Sequence, residues 1–373
     1  MVELKNIYTE IKDGDWIESK DQSNEGIRLV QTGNIGVGVY LDKDNKAKFI
    51  SEKTFSHLKC TEIFEGDILI SRLPSPVGRA CLFPKIEEKA ITAVDCTIMR
   101  VNKDVCIPKY FVYYTRSNIY LNQINRFVAG TTRLRISRKN LENIKIFLPK
   151  LEVQNKIVEA LDKAQELINK RKEQIEALDE LVKSRFVEMF GNVITNSKDW
   201  DTELLGEISN LKAGKNIKAK DIYENYSHEL YPCYGGNGLR GYVKIYSHKG
   251  TFNLIGRQGA LCGNVKYTKG KFYATEHAVV VQPKVDINSY WLYFTLKELD
   301  LNRLSTGAAQ PGLTVGKLNE VEIPKVPIYL QNKFADFVIQ VDKFKSRMED
   351  SLKELEDNFD SLMQKAFKGE LFN

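Results

Sequence analysis

Two segments of the chain place apolar residues on an alternating 4-3 spacing. The first carries Ile157, Leu161, Ala164, Ile168, Ile175, Leu178, Val182 and Met189, broken only by Arg171 and Arg185. The second carries Phe334, Val338, Val341, Met348, Leu352, Leu355, Phe359, Leu362 and Ala366, broken only by Lys345. The mean period of 3.5 is that of a left-handed coiled-coil seam. No Pro or Gly interrupts Ile157 to Met189 or Phe334 to Phe367, and Gly191 and Gly369 stand where a helix C-cap falls. The spacing predicts two helices of about 33 residues, each on the order of 50 Å long. Two such helices in one chain pair most economically with each other. A second apolar row (Ala160, Leu167, Leu181, Phe337 and Phe344, with Phe186, Phe190, Met363 and Phe367 near the ends) is wider than a two-stranded seam needs. It is expected to pack on flanking domains or on a partner protein.

The two segments belong to an internal repeat at an offset of 177. Ile144 to Ile157 (IKIFLPKLEVQNKI) aligns without a gap with Val321 to Phe334 (VEIPKVPIYLQNKF). Looser copies precede each helix. The first has GDILISR (Gly66 to Arg72), VGRACLFP (Val77 to Pro84), AVDCTIMRV (Ala93 to Val101) and YFVYYT (Tyr110 to Thr115). The second has NLIGRQGALCGNV (Asn253 to Val265), FYATEHAVVVQP (Phe272 to Pro283) and YWLYFT (Tyr290 to Thr295). Short β-branched runs bounded by Gly and Pro read as strands, and the two aromatic stretches each open a helix. Both blocks reach a Gly-containing loop, AGTTRLRIS (Ala129 to Ser137) and STGAAQPGLT (Ser305 to Thr314). The expected fold class is α/β: two domains of mixed strands and helices, separated by two long antiparallel coiled-coil helices in a pseudo-two-fold repeat. That symmetry would bring Met1 and Asn373 near one another. The domain boundaries read as 1–148, 149–191 (first helix), 192–322 and 323–373 (second helix).

Composition narrows the class. The apolar fraction is 42% and the charged fraction 28%, typical of a globular chain. No uncharged apolar run approaches the roughly 20 residues of a membrane span, and the charged N-terminus lacks a signal-peptide core. Six cysteines without a CxxC pair argue against a disulfide scaffold or zinc module and suit a reducing cytoplasm. Net charge is +6, and one stretch, Val105 to Leu141, is free of acids while interleaving Arg and Lys with aromatics. Such a mixture offers phosphate forks, base-edge donors and stacking faces; a solvated basic face is the alternative.

Catalytic signatures are absent: no GxxxxGK[ST] loop, no HExxH, and four scattered histidines. Gly236, Gly238 and Gly241 satisfy G-x-G-x-x-G, but the strand-like YVKIY that follows is not the helix a dinucleotide site needs. These glycines are expected to shape a hairpin presenting Asn237 and Arg240.

YPCYGGNGLRGYV (Tyr231 to Val243), LIGRQGALCGNV (Leu254 to Val265), HAVVVQP (His277 to Pro283) and STGAAQPGLT resemble target-recognition motifs of type I restriction–modification specificity subunits. The IPKVPIYLQNKF and LPKLEVQNKI segments resemble the openings of that family's two spacer helices. The first block lacks a YGGNGLRGY equivalent, with RLVQTGNI (Arg28 to Ile35) in the comparable region. The resemblance implies a non-catalytic subunit in which two recognition domains read a bipartite double-stranded DNA target. It also implies partners: modification subunits that methylate adenine and restriction subunits that translocate and cut, with S-adenosylmethionine, ATP and Mg used only there. A coiled-coil protein-interaction scaffold is the alternative. The expected DNA contacts are Arg72, Arg79, Arg133, Arg135 and Arg138 in the first domain and Asn237, Arg240, Arg257 and Gln258 in the second. Arg suits guanine edges, and Asn and Gln suit adenine.

Overall fold

The computed structural model describes residues 1–130, 133–259, 261–307 and 311–372. The two long helices are α1 (Leu151–Phe190) and α2 (Ile328–Lys368), about two turns longer than the seam spacing predicts. The extra turns lie at the N-terminal ends, where Gln154 and Gln331 are buried as internal caps. Gln154 accepts from the Ile107 N–H (2.9 Å) and donates to the Val105 and Pro149 carbonyls (both 2.8 Å). Gln331 likewise accepts from the Asn288 N–H (2.9 Å) and donates to the Val326 carbonyl (2.8 Å). Both helices end on a left-handed glycine, Gly191 and Gly369, each at φ +79°.

The chain forms two compact units, Met1–Lys172 with Asp350–Asn373, and Glu173–Glu349. Packing thus divides each long helix between the units, whereas boundaries drawn from sequence keep the helices whole. In the second unit Asp179 meets Lys345 (2.6 Å), Arg185 lies over the Phe337 ring (6.0 Å to its centroid), and Phe190 meets Phe334 (5.5 Å between centroids). Positions ascending α1 meet positions descending α2, so the pairing is antiparallel. The first unit pairs the opposite halves: Ile157, Leu161 and Ile168 of α1 share a core with Phe359, Met363, Ala366 and Phe367 of α2. Val2 and Leu371 pack on that same core, while Asn373 lies outside the described residues.

Burial along the seam is uneven. Ile157, Leu161, Ile168, Val182, Phe334, Val338 and Phe359 are buried, but Ile175, Leu178, Met348, Leu352 and Leu355 are only half-buried. Two helices cover each other on one side only, and full burial needs the flanking domain. The second apolar row divides the same way. Phe186, Phe190, Met363 and Phe367 are buried in the domains, whereas Leu167, Leu181 and Phe344 stay exposed.

In the first unit a four-stranded antiparallel sheet comprises β1 (Tyr8–Asp13), β2 (Ile68–Ser71), β3 (Ala80–Leu82) and β4 (Cys96–Val101), in the order β1-β4-β2-β3. The second unit holds β5 (Ser209–Ala213), β6 (Tyr231–Gly235), β7 (Gly238–Val243), β8 (His248–Gly256), β9 (Val265–Ala274) and β10 (Ala278–Pro283). Their order, β5-β10-β8-β9-β6-β7, repeats the first arrangement and adds a hairpin at one edge. The first unit instead carries a separate five-stranded sheet built around Ile27–Val30 and Ala90–Thr92. The aromatic stretches are helical, as Pro108–Tyr114 and Ser289–Glu298. Each tethers a long helix: Tyr113 donates to Asp162 (2.6 Å) and Tyr290 to Asp342. Burial and these carboxylates hold both phenols above the ordinary tyrosine range. Among the described residues no helix is long and apolar enough to cross a membrane.

Candidate nucleic-acid interface

The same hydrogen-bond frame recurs at one end of each sheet. In the first unit the Arg72 N–H donates to the Asp95 carbonyl (2.9 Å), and the Ile136 N–H to the Arg72 carbonyl (3.2 Å). In the second, the Arg257 N–H donates to the His277 carbonyl (3.0 Å), and the Leu313 N–H to the Arg257 carbonyl (2.9 Å). Ala129 and Arg135 bond each other across one loop neck, as Thr306 and Gly312 do across the other. The necks lead into helices capped by Ser137 and Thr314. A third loop joins through the Ala93 N–H on the Val30 carbonyl and the Thr275 N–H on the Tyr234 carbonyl, both 2.9 Å. Arg72 and Arg257, Asp95 and His277, and the TGN and GNG segments (Thr32–Asn34, Gly236–Gly238) therefore occupy equivalent places. The backbone is shared while, outside the arginine pair, the side chains differ.

In the second unit β6 and β7 form a hairpin turning at Gly236 and Asn237, with no helix behind it. A cleft of about 450 Å³ is lined by Asn237, Arg240, Gln258, Gly259 and His277 among others. Asn237, Arg240 and Gln258 are exposed, so the structure gathers three of the four expected residues in one place. Arg257 is half-buried beside Gln258, its Nε enclosed without a hydrogen-bond partner among the described residues. Gly256 is a steric requirement, since an added Cβ would lie 1.9 Å from the Gly236 carbonyl oxygen. Gly256→Ala is expected to push the two loops apart and destabilise the chain by about 1–3 kcal/mol. Chemical denaturation checks this, and an unchanged midpoint would show that the loops do not meet there.

The first unit requires two corrections. Arg72 is buried (4% exposed), with one guanidinium nitrogen on the Val94 carbonyl and another 3.3 Å from Asp13. Arg79 is also buried, bonded to the carbonyls of Ile35, Leu73, Pro76 and Thr32. Its donors are committed to loop carbonyls that would otherwise be orphaned. Neither is a surface reader; both stabilise the loop frame. Arg133, Arg135 and Arg138 are exposed. Arg133 and Arg135 converge on Asp95 at 3.3 and 3.0 Å, and Arg138 lies between Glu142 (3.4 Å) and Asp13 (3.9 Å).

One basic surface went unread in the sequence. Leu230 to Thr275 contains seven Lys and Arg and no acid, a signal equal to that of Val105 to Leu141. Its Lys244, Lys249, Lys266, Lys269 and Lys271 are exposed, and Lys249 stands directly opposite Lys271 across β8 and β9. Like charges so placed repel and suit a polyanion. Lys271 also lies over the Tyr231 and Tyr246 rings (5.5 and 4.8 Å).

The family model described as type I restriction modification DNA specificity domain matches residues 1–177 and 197–357. The Escherichia coli type I restriction enzyme EcoprrI specificity subunit is 43% identical over 178 residues, 46% of this chain and 44% of its own length. The Methanocaldococcus jannaschii MjaIX specificity subunit is 23% identical over 351 residues, 84% of this chain and 77% of its own. The chain thus spans less than half the length of the Escherichia coli relative. Two solved structures share the fold. The S subunit of a type I restriction–modification system from M. genitalium has a TM-score of 0.56 at 19% identity, covering 98% of this chain and 95% of that one. A structure titled for complex assembly and conformational transition of the type I R-M system has a TM-score of 0.67 at 18% identity, covering 99% and 97%. The two matched stretches carry the two copies of the loop frame, and on that match the chain belongs to the type I restriction modification DNA specificity family.

Proposed function

We propose that this chain is the sequence-reading subunit of a type I restriction–modification complex and binds a bipartite duplex target, one half through each unit. The observation that supports the reading is the duplicated three-loop frame. A fixed backbone presents Asn237, Arg240 and Gln258 in one unit and Arg133, Arg135 and Arg138 in the other. Exposed Arg, Asn and Gln supply the donors and acceptors that distinguish base edges in the major groove. Lys244, Lys249, Lys269 and Lys271 supply the sequence-independent phosphate term. The chain itself catalyses nothing in this reading. Modification and restriction subunits dock on it, with the exposed Leu167, Leu181 and Phe344 among the apolar positions available to them. S-adenosylmethionine, ATP and Mg belong to those partners, and the complex works in the cytoplasm.

Selection of binding sites from a random duplex pool tests this directly, with a two-part consensus as the expected result. Arg240→Ala should cost about 1–3 kcal/mol and relax one consensus position. Lys249→Ala should weaken all duplexes alike and reduce the salt slope by about one. If Arg240→Ala and Arg257→Ala both leave affinity, consensus and salt slope unchanged, these loops do not face DNA.

A further inference from the structure

We infer that Asp95 is a specificity-determining residue of the first unit, a carboxylate that occupies the recognition arginines and must be displaced by correctly spaced DNA acceptors. The inference rests on the DNA-reading function proposed above. Asp95 is held from both sides of its backbone: its carbonyl accepts from the Arg72 N–H, and Cys96 beside it opens β4. Its two carboxylate oxygens face two different exposed guanidinium groups, Oδ1 that of Arg135 (3.0 Å) and Oδ2 that of Arg133 (3.3 Å). Both arginines lie on the loop whose neck closes between Ala129 and Arg135. A second carboxylate, Asp13, lies 3.3 Å from buried Arg72 and 3.9 Å from Arg138.

The equivalent place in the second unit holds His277, which lies 3.2 Å from Glu276, and among the described residues Asn237, Arg240 and Gln258 form no ion pair or hydrogen bond with a carboxylate. The contrast separates two ways of reading. In the second unit the donors stand open. In the first, an anion already sits between them at the place a phosphate or a guanine edge would take.

Ion pairs with exposed arginines add little to stability, so the consequence of these two lies in competition. A random duplex offers phosphates that gain only what Asp95 gives up. A matched site offers base-edge acceptors as well, and only that surplus displaces the carboxylate. An internal competitor that a mismatched duplex cannot displace lets specificity exceed what attraction alone provides.

The test uses the full chain, a random-sequence 30-bp duplex, and a duplex selected from a random pool by the unmodified protein. Asp95→Asn keeps the side-chain volume and removes the charge. It should raise affinity for the random duplex by about three- to tenfold and steepen its salt slope by about one, with a smaller gain on the selected duplex. Asp95→Glu should restore discrimination. In an Arg133→Ala, Arg135→Ala background, Asp95→Asn should have no effect. An equal gain on both duplexes, a gain that persists without the arginines, or no gain overturns the role of Asp95. Those outcomes leave DNA reading intact as long as the unmodified protein enriches a consensus. Failure of the unmodified protein to bind duplex or enrich a sequence removes the DNA-reading function, and the role of Asp95 with it.

Discussion

Phe334→Ala is expected to cost the second unit about 3–5 kcal/mol. The Phe334 ring is fully buried and sits edge-on to Phe186 (5.4 Å), Phe190 (5.5 Å) and Phe294 (5.3 Å between centroids). Those rings come from α1 and from the Ser289–Glu298 helix, while Phe334 itself belongs to α2. Truncation would open a void where three helices meet. The remaining rings are held by further contacts, Phe190 by Trp291 at 5.9 Å, and cannot collapse into it. Urea denaturation measures the loss, and amide exchange in Ser289–Glu298 should accelerate with it. A loss below about 1 kcal/mol would show that the helix seam and the domain do not share this core.

The second large effect is expected at Gln154. Gln154→Leu removes one donor–acceptor group that serves three backbone partners and leaves the Ile107 N–H and the Val105 and Pro149 carbonyls unpaired in a buried site. Each orphaned group costs about 1–3 kcal/mol, so a total of about 3–5 kcal/mol is expected after local relaxation. Gln331→Leu orphans two backbone groups, the Asn288 N–H and the Val326 carbonyl, and should cost less. The order of the two losses, read from denaturation midpoints, is the check. Equal and small losses would mean that water replaces the amide in both units.

The glutamines also show where the repeat is physically enforced. Their shared QNK triplets mark the alignment in the sequence, and the two backbone partners they have in common, an N-cap N–H of the aromatic helix and the carbonyl five residues before the glutamine, explain why the triplet belongs inside each helix rather than before it. The Phe190–Trp291 and Phe367–Tyr110 ring pairs, at 5.9 and 5.4 Å, carry the same correspondence into the cores.

Periodicity and duplication by themselves determined the two long helices, their antiparallel partnership, the repeated strand-then-helix block of both domains and the glycine hairpin, but not the separate five-stranded sheet of the first unit. These are local or repeated patterns, and a 3.5-residue period or a Gly-bounded β-branched run has few structural solutions. The basic character of the candidate interface was equally legible, and the acid-free run from Leu230 to Thr275 was there to be read. Tertiary structure alone decided which arginines face outward. Arg72 and Arg257 follow equivalent strands, yet one is buried on Asp13 and Val94 and the other half-buried beside Gln258. Arg79 looks like a surface arginine in VGRACLFP, but four carbonyls from two loops claim its guanidinium. An arginine's role depends on which acceptors surround it, and those acceptors come from residues up to 47 positions away. The division of each long helix between two compact units has the same origin. Burial depends on which domain lies against each half of the helix, and that is a property of the packed chain rather than of the heptad.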